Sequence, residues 1–280
     1  MNAERQAAAQ PGSPLLEVTR VTVRFGGLTA IDDVSFAVQH GELLGLIGPN
    51  GAGKTTMLRA ITGVVRPSAG QVRLQGQVLN ALPIHERIRR GLALSQQLVR
   101  PLRSISLAEN VALAAGRAKT LRPWRAITHV SAREELGRAQ RELERVGIGE
   151  LAGQGAAKQP LGVLKRLEMA RAHALDPRLL LLDEPLAGLN SKEARALADT
   201  IAEINRQGMT VVLIEHNLSE VLRICTRLVV LDNGRKIGEG EPRTVMADPG
   251  VRAAYLGTSA DADGNEDGNA GANAAGVAHA

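Results

Sequence analysis

Gly48-Pro49-Asn50-Gly51-Ala52-Gly53-Lys54-Thr55-Thr56 fits the pattern G-x-x-x-x-G-K-[ST] at every fixed position. It follows the apolar run Leu43–Ile47, which reads as a buried strand. It precedes Met57-Leu58-Arg59-Ala60-Ile61, which reads as the first turns of a helix. That strand–loop–helix context makes the pattern a phosphate site. Glycines let backbone N–H groups curl around an anion with no Cβ in the way, and the helix N-terminus adds a positive dipole end. In this reading Gly48 to Thr56 cradles the phosphates of a nucleotide. Lys54 reaches the β- and γ-phosphates, and the Thr55 hydroxyl ligates Mg²⁺.

The rest of the chemistry lies at the ends of two further apolar runs. Leu179-Leu180-Leu181-Leu182 leads into Asp183 and Glu184. A carboxylate at the C-terminal end of a strand beside the phosphate loop is placed to hold Mg²⁺ through water, and that residue is Asp183. Side chains alternate along a strand, so Glu184 is expected to point toward the γ-phosphate, where it polarises the attacking water. His216 ends the run Val211–Glu215; a neutral imidazole there is placed to hydrogen-bond the γ-phosphate. The other histidines show no metal spacing, so none is read as a ligand.

The surrounding pattern is α/β. Leu16–Phe25, Val34–Val38 and Gln71–Leu74 alternate apolar and polar residues, as half-buried strands do, and predict an antiparallel patch beside the nucleotide. Leu92–Ser95, Leu179–Leu182 and Met209–Ile214 read as strands of a parallel body. Ile84–Arg90 reads as a short basic helix. Residues 98–158 read as an all-helical insertion, with Ser106-x-x-Glu109 and Ser131-x-x-Glu134 as capping boxes. Leu136, Ala139, Leu143 and Val146 fall on one face of the second helix. Lys192–Arg206 reads as a helix with Ala194, Leu197, Ile201 and Ile204 as its stripe and Gly208 as its stop. Leu218–Cys225 and Val251–Leu256 read as two more helices, and Asn233-Gly234 as a hairpin turn. Residues 1–14 and 258–280 read as disordered tails around a domain at 15–257, within which 98–178 is the helical subdomain.

Composition narrows the function classes. Phe25, Phe36, Trp124 and Tyr255 are the only aromatics, so the core must be aliphatic. Trp124, in the basic stretch Arg117–Arg125, is either a partner anchor or a packing residue. No apolar run approaches a membrane span, and no secretory signal is visible at the start. The single cysteine, Cys225, cannot form an internal disulfide. The net charge of +5 includes four acids in the last 23 residues, which leaves residues 1–257 at +9. That balance suits ATP, anionic lipid or nucleic acid, but no aromatic-interleaved basic stripe supports nucleic acid. The expected location is the cytoplasm.

Five segments carry a resemblance to a known family. They are Arg24–Ala30 (R-F-G-G-L-T-A), Gly48–Thr56, Leu182–Asn190 (L-D-E-P-L-A-G-L-N), Ile214–Asn217 (I-E-H-N) and Ala254–Gly257 (A-Y-L-G). From Leu16 to about Gly257 the chain resembles an ATP-binding-cassette ATPase, above all the ATP-binding subunits of branched-chain (hydrophobic) amino-acid importers. The resemblance implies a P-loop NTPase fold with an antiparallel β subdomain and an inserted helical subdomain. It implies that Phe25 stacks on adenine and that Gln97 contacts Mg²⁺ and the attacking water, with Gln96 as the neighbouring alternative. Asn190 ends the loop that crosses to the opposite subunit.

One motif departs. Where the family carries L-S-G-G-Q before a helix, this chain has Gln159-Pro160-Leu161-Gly162-Val163, and only Gly162 survives. The implied loss is one hydroxyl hydrogen bond to a charged group, about 1.5–3 kcal/mol, so a weaker composite site is expected. The resemblance further implies two transmembrane permease subunits, a second ATP-binding subunit of the same or a different kind, and indirectly a periplasmic or extracellular substrate-binding protein. The chain would sit at the cytoplasmic face of the inner membrane. Rival readings are another cargo (urea or amide import, lipopolysaccharide export), a regulatory subunit that binds ATP with weak hydrolysis, and a soluble cassette acting on ribosomes or DNA.

Overall fold

A computed structural model describes residues 13–95, 101–116 and 130–255. Its chain opens with two long strands, β1 (Leu16–Phe25) and β2 (Leu28–Val38), paired antiparallel. The apolar run before the phosphate loop is β3 (Leu43–Ile47), buried throughout, and the helix after it is α1 (Lys54–Thr62). β4 (Ala69–Leu74) and β5 (Gln77–Val78) return to the first two strands, then α2 (Ile84–Arg89) and β6 (Leu92–Ser95) follow. The helical unit is α3 (Leu107–Gly116), α4 (Val130–Arg145) and α5 (Leu161–His173). The chain then alternates through β7 (Leu179–Asp183), α6 (Ser191–Arg206), β8 (Thr210–Ile214) and α7 (Leu218–Ile224). It closes with the hairpin β9 (Arg227–Asp232) and β10 (Arg235–Gly240), the short α8 (Pro242–Ala247), and a helical segment over residues 249–255.

Two sheets result. One is antiparallel, in the order β2-β1-β4-β5; the other has six strands in the order β10-β9-β3-β8-β7-β6. In the second, β9, β3, β8, β7 and β6 run parallel and only β10 is antiparallel. The central strands are apolar on both faces, as a sheet covered on both sides must be. Leu43, Ile47, Leu180, Leu182, Val211, Leu213, Leu228 and Val230 face one core, shared with α5, α6 and the rest of the helical unit. Their neighbours Leu44, Leu46, Leu179, Leu181, Val212, Ile214, Val229 and Leu231 face the other, shared with α1 and the antiparallel sheet. The period of two along each strand thus divides the molecule into a nucleotide-side half and a helical half.

Several local expectations need correction. Ser131 lies inside α4, which already includes Val130. Leu136 is 44% exposed, whereas Ala139, Leu143 and Val146 are buried, so the apolar stripe of α4 is narrower than its sequence suggests. The sequence reading missed β5 and α8, which have two and six residues and are too short to show a period. Ser106 does cap α3: its Oγ accepts from the Glu109 amide at 3.2 Å, and Glu109 accepts from the Ser106 amide at 2.7 Å. The predicted hairpin turn forms, with Asn233 at φ 44° and Gly234 at φ 76°. Both predicted tails, except for Ser13 and Pro14 of the first, lie outside the described residues, as do Arg117–Arg125 with Trp124.

Candidate functional site

The phosphate loop needs its glycines for stated steric reasons at two positions. A Cβ on Gly48, at φ +151°, would lie 2.1 Å from the Leu231 carbonyl oxygen. One on Gly53, at φ +100°, would strike Ile31 at 2.6 Å and the Ala30 carbonyl at 2.8 Å. The loop is therefore pressed against β9 on one side and β2 on the other. The hairpin turn completes the wall: the Gly234 amide donates to the Ala52 carbonyl at 3.2 Å, and the Asp32 amide donates to the Gly234 carbonyl at 2.8 Å.

A cleft of about 350 Å³ opens above this loop, lined by Asn50, Gly51, Ala52, Gly53, Lys54, Thr55 and Thr56 together with Glu184. Leu28, Thr29, Ala30, Asn233 and Gly234 line it as well. The sequence reading missed these five; only the resemblance of Arg24–Ala30 hinted at the first three. α1 begins at Gly53 with no side-chain cap, so its first amides stay available to an anion. Lys54 is buried, and its amine donates to the Gly48 and Pro49 carbonyls at 2.6 and 2.7 Å. Burial depresses its pKa, and the charges of Glu184 and Asp183 oppose that shift.

Asp183 ends β7, next to Ile214 of β8. Burial and the adjacent Glu184 raise its pKa, while Arg59, Lys165 and Lys54 pull it down. Its Oδ1 is buried with no hydrogen-bond partner. A buried carboxylate oxygen left this way, in a group that feels the charge of Lys54 in the phosphate cradle, fits a hard cation such as Mg²⁺ that keeps waters in its shell. Among the described residues no three His, Cys, Asp or Glu side chains form a metal cluster.

Glu184 turns toward the cleft by a different route from the one its position suggested. It stands just past the strand, at φ +47°, a left-handed conformation that costs a non-glycine residue about 1–3 kcal/mol. Backbone torsion, not strand alternation, aims it. Its amide donates to the Ile214 carbonyl at 2.9 Å. His216 follows β8, with Nδ1 3.9 Å from Glu184 Oε1 and a side chain 59% exposed.

The remaining predicted residues lie farther out. Phe25, 48% exposed, ends β1 opposite Leu28, itself 67% exposed, at the rim. Gly162 is in the first turn of α5, where its neighbours are Glu193 and Leu189; it does not line the cleft. Gln97 and Gln96 lie outside the described residues.

Residues 31–187, the loop and both carboxylates included, match the family model described as ABC transporter. The chain belongs to that family. As a member it is an ATPase that binds and hydrolyses ATP. Residues 235–261 match a second model, described as branched-chain amino acid ATP-binding cassette transporter. The chain is 38% identical over 255 residues to the high-affinity branched-chain amino acid transport ATP-binding protein BraF of Pseudomonas aeruginosa, covering 87% of this chain and 98% of that one. It is 36% identical over 245 residues to the lipopolysaccharide export system ATP-binding protein LptB of Acidithiobacillus ferridurans, covering 88% and 98%. Among solved structures, the ADP conformation of the cassette MJ1267 superposes with a TM-score of 0.76 at 27% identity over 88% of this chain and 99% of that one. A dimeric cassette, MJ0796 in a post-hydrolysis state with ADP and Pi, does so with a TM-score of 0.70 at 25% identity over 81% and 99%.

Proposed function

We infer that this ABC ATPase powers import of branched-chain or other hydrophobic amino acids. The observation that carries the cargo reading is the match of residues 235–261 to the branched-chain model. The higher identity to the BraF protein than to the lipopolysaccharide-export protein points the same way. Among the described residues no helix is long and apolar enough to cross a membrane. The transporter reading therefore needs separate permease subunits, with this chain docked peripherally at the cytoplasmic face.

The residue roles follow from the cleft. Gly48 to Thr56 and the start of α1 hold the phosphates, and Lys54 exchanges its two carbonyl partners for phosphate oxygens. Phe25 offers a ring to adenine at the rim. Thr55 and Asp183, with Gln97, would hold Mg²⁺, which supplies charge neutralisation on the phosphates when bound. Glu184 accepts a hydrogen bond from the attacking water and draws its proton density away. His216, beside it, donates to the γ-phosphate. Gly162, half-buried, and the first amides of α5 would face a second cassette, whose nucleotide they would cover.

Two experiments test this. Purification from native membranes in detergent should bring along two permease chains and a second ATPase; a chain that arrives without membrane partners overturns the transporter reading and leaves the ATPase standing. Glu184→Gln should bind ATP normally and lose turnover by about 10²–10⁴-fold. Near-normal turnover would remove Glu184 from its role.

A further inference from the structure

Behind Glu184 lies a second buried carboxylate that the chemistry above does not use. Glu215 is 1% exposed and directly follows β8. Its Oε1 accepts from the Leu186 amide at 2.6 Å, and its Oε2 from the His216 amide at 3.2 Å; the Asn217 amide donates to it as well. One carboxylate therefore ties the turn that follows Glu184 to the turn that carries His216. Burial pushes its carboxyl pKa up, and the Leu186 amide and the neighbouring His216 oppose that.

Lys165 approaches the same point from the helical unit. It is 6% exposed, one turn into α5, and its Nζ donates to the Glu184 carbonyl at 3.0 Å. Burial lowers its pKa; the charges of Glu215, Glu184 and Asp183 counter the shift. The Glu184 backbone is thus gripped on both sides: its amide by Ile214, its carbonyl by Lys165 and by the Ala187 amide at 3.2 Å. A left-handed glutamate persists only where its surroundings over-determine it, and these are the surroundings.

We propose that Glu215 and Lys165 are positioning residues that hold the Glu184 side chain in its working orientation, Lys165 joining the Glu184 backbone to the N-terminal turns of α5. The inference rests on the reading of Glu184 as the residue that polarises water. It adds a route by which the start of α5, where a second cassette would press on Gly162, reaches the reaction in its own chain. Gly162 and Lys165 lie on one helical turn, so a shift of the first moves the second.

The test is steady-state ATP turnover and ATP binding by the full chain, with Lys165→Met, Lys165→Arg and Glu215→Gln in the native and Glu184→Gln backgrounds. Lys165→Met and Glu215→Gln should lower kcat about 10-fold to 100-fold, the scale of a small misplacement of a reacting group, with KM for ATP within about threefold. Lys165→Arg, which keeps a buried donor, should recover most of the loss. In the Glu184→Gln background Lys165→Met should add nothing, because it acts through that side chain. An unchanged kcat in Lys165→Met, a loss of ATP binding with it, or an additive loss beside Glu184→Gln overturns the proposal. A Glu184→Gln variant that turns over normally brings down the underlying reading too; a silent Lys165→Met beside an inactive Glu184→Gln removes this proposal alone.

Discussion

Two helices of this molecule start without a side-chain cap and point their free amides at places where phosphate is expected, yet they are built in opposite ways. α1 starts at Gly53, inside a cleft of its own chain, with a buried lysine in its first turn. α5 starts at Pro160, on the surface, with Leu161 42% exposed. By contrast α6, α7 and α8 are each capped by a side chain, from Asn190, Asn217 and Glu241. The far ends differ too. The carbonyls of Ala60 and Ile61, at the end of α1, accept from the guanidinium of Arg87, a fully buried residue of α2. The end of α5 is fixed by His173, whose Nδ1 lies 2.7 Å from Glu142 Oε2, with Arg145 2.8 Å from the same oxygen. The first helix is anchored by a guanidinium that donates to its last carbonyls; the second is anchored by a carboxylate shared between His173 and Arg145.

The sharpest way to break this contrast is at Lys54. Lys54→Ala should cut ATP turnover by about 10²–10³-fold, the scale of losing one donor to a developing charge, and no residue at the start of α5 should match it. Arg87→Met should destabilise the fold by about 3 kcal/mol, because it leaves the α1 carbonyls without their charged donor; chemical denaturation reads this, and a change under 1 kcal/mol would show that α1 needs no rear anchor. Glu142→Gln should cost about 2 kcal/mol near neutral pH.

The pH dependence of that last effect sharpens the comparison. Burial raises the Glu142 pKa, but its hydrogen bonds and charge contacts with His173 and Arg145 outweigh burial and leave it below the ordinary 4.5. A carboxyl with a depressed folded pKa stabilises above its unfolded value and loses that contribution as pH falls through the folded one. The gap in melting temperature between native protein and Glu142→Gln should therefore close in acid, below the ordinary glutamate range, and stay constant above it. The corresponding gap for Arg87→Met should not close. The smallest effect belongs to Pro160→Ser. It should raise turnover of the assembled complex about tenfold by restoring one hydroxyl to the surface helix start; no change would mean that the amides of α5 suffice.

What the sequence disclosed and what it withheld divide along physical lines. Continuous apolar runs marked β3, β7 and β8, as strands buried on both faces carry them. The phosphate loop was legible because its requirements are local: Gly53 and Lys54 act within a few residues of each other. Three-dimensional partnerships were not legible. Arg87 sits in a stretch that reads as a short basic helix, and nothing in the spacing says that its guanidinium is buried against the end of α1. Glu142 and Lys165 look like ordinary charges on amphipathic helices. Glu184 does line the cleft, but strand alternation does not set its direction, because a left-handed backbone after a strand leaves no trace in hydropathy. Leu28 and Asn233 reach the cleft through the pairing of distant segments, which no single stretch encodes.

The strand order carries one more consequence. β3, which ends in the phosphate loop, does not touch β7, which ends in Asp183; β8 lies between them. Neighbouring strands stand about 4.8 Å apart, so the two ends are offset by about 9.6 Å across the sheet. The intervening strand acts as a spacer between opposite charges. Were β7 beside β3, Lys54 and Asp183 would close on each other as a salt bridge, and each would quench the other. With β8 between them, Lys54 rests on the loop's own carbonyls and Asp183 keeps an oxygen unspoken for. The sheet thus sets the strand ends that lead into Lys54 and Asp183 two strand spacings apart.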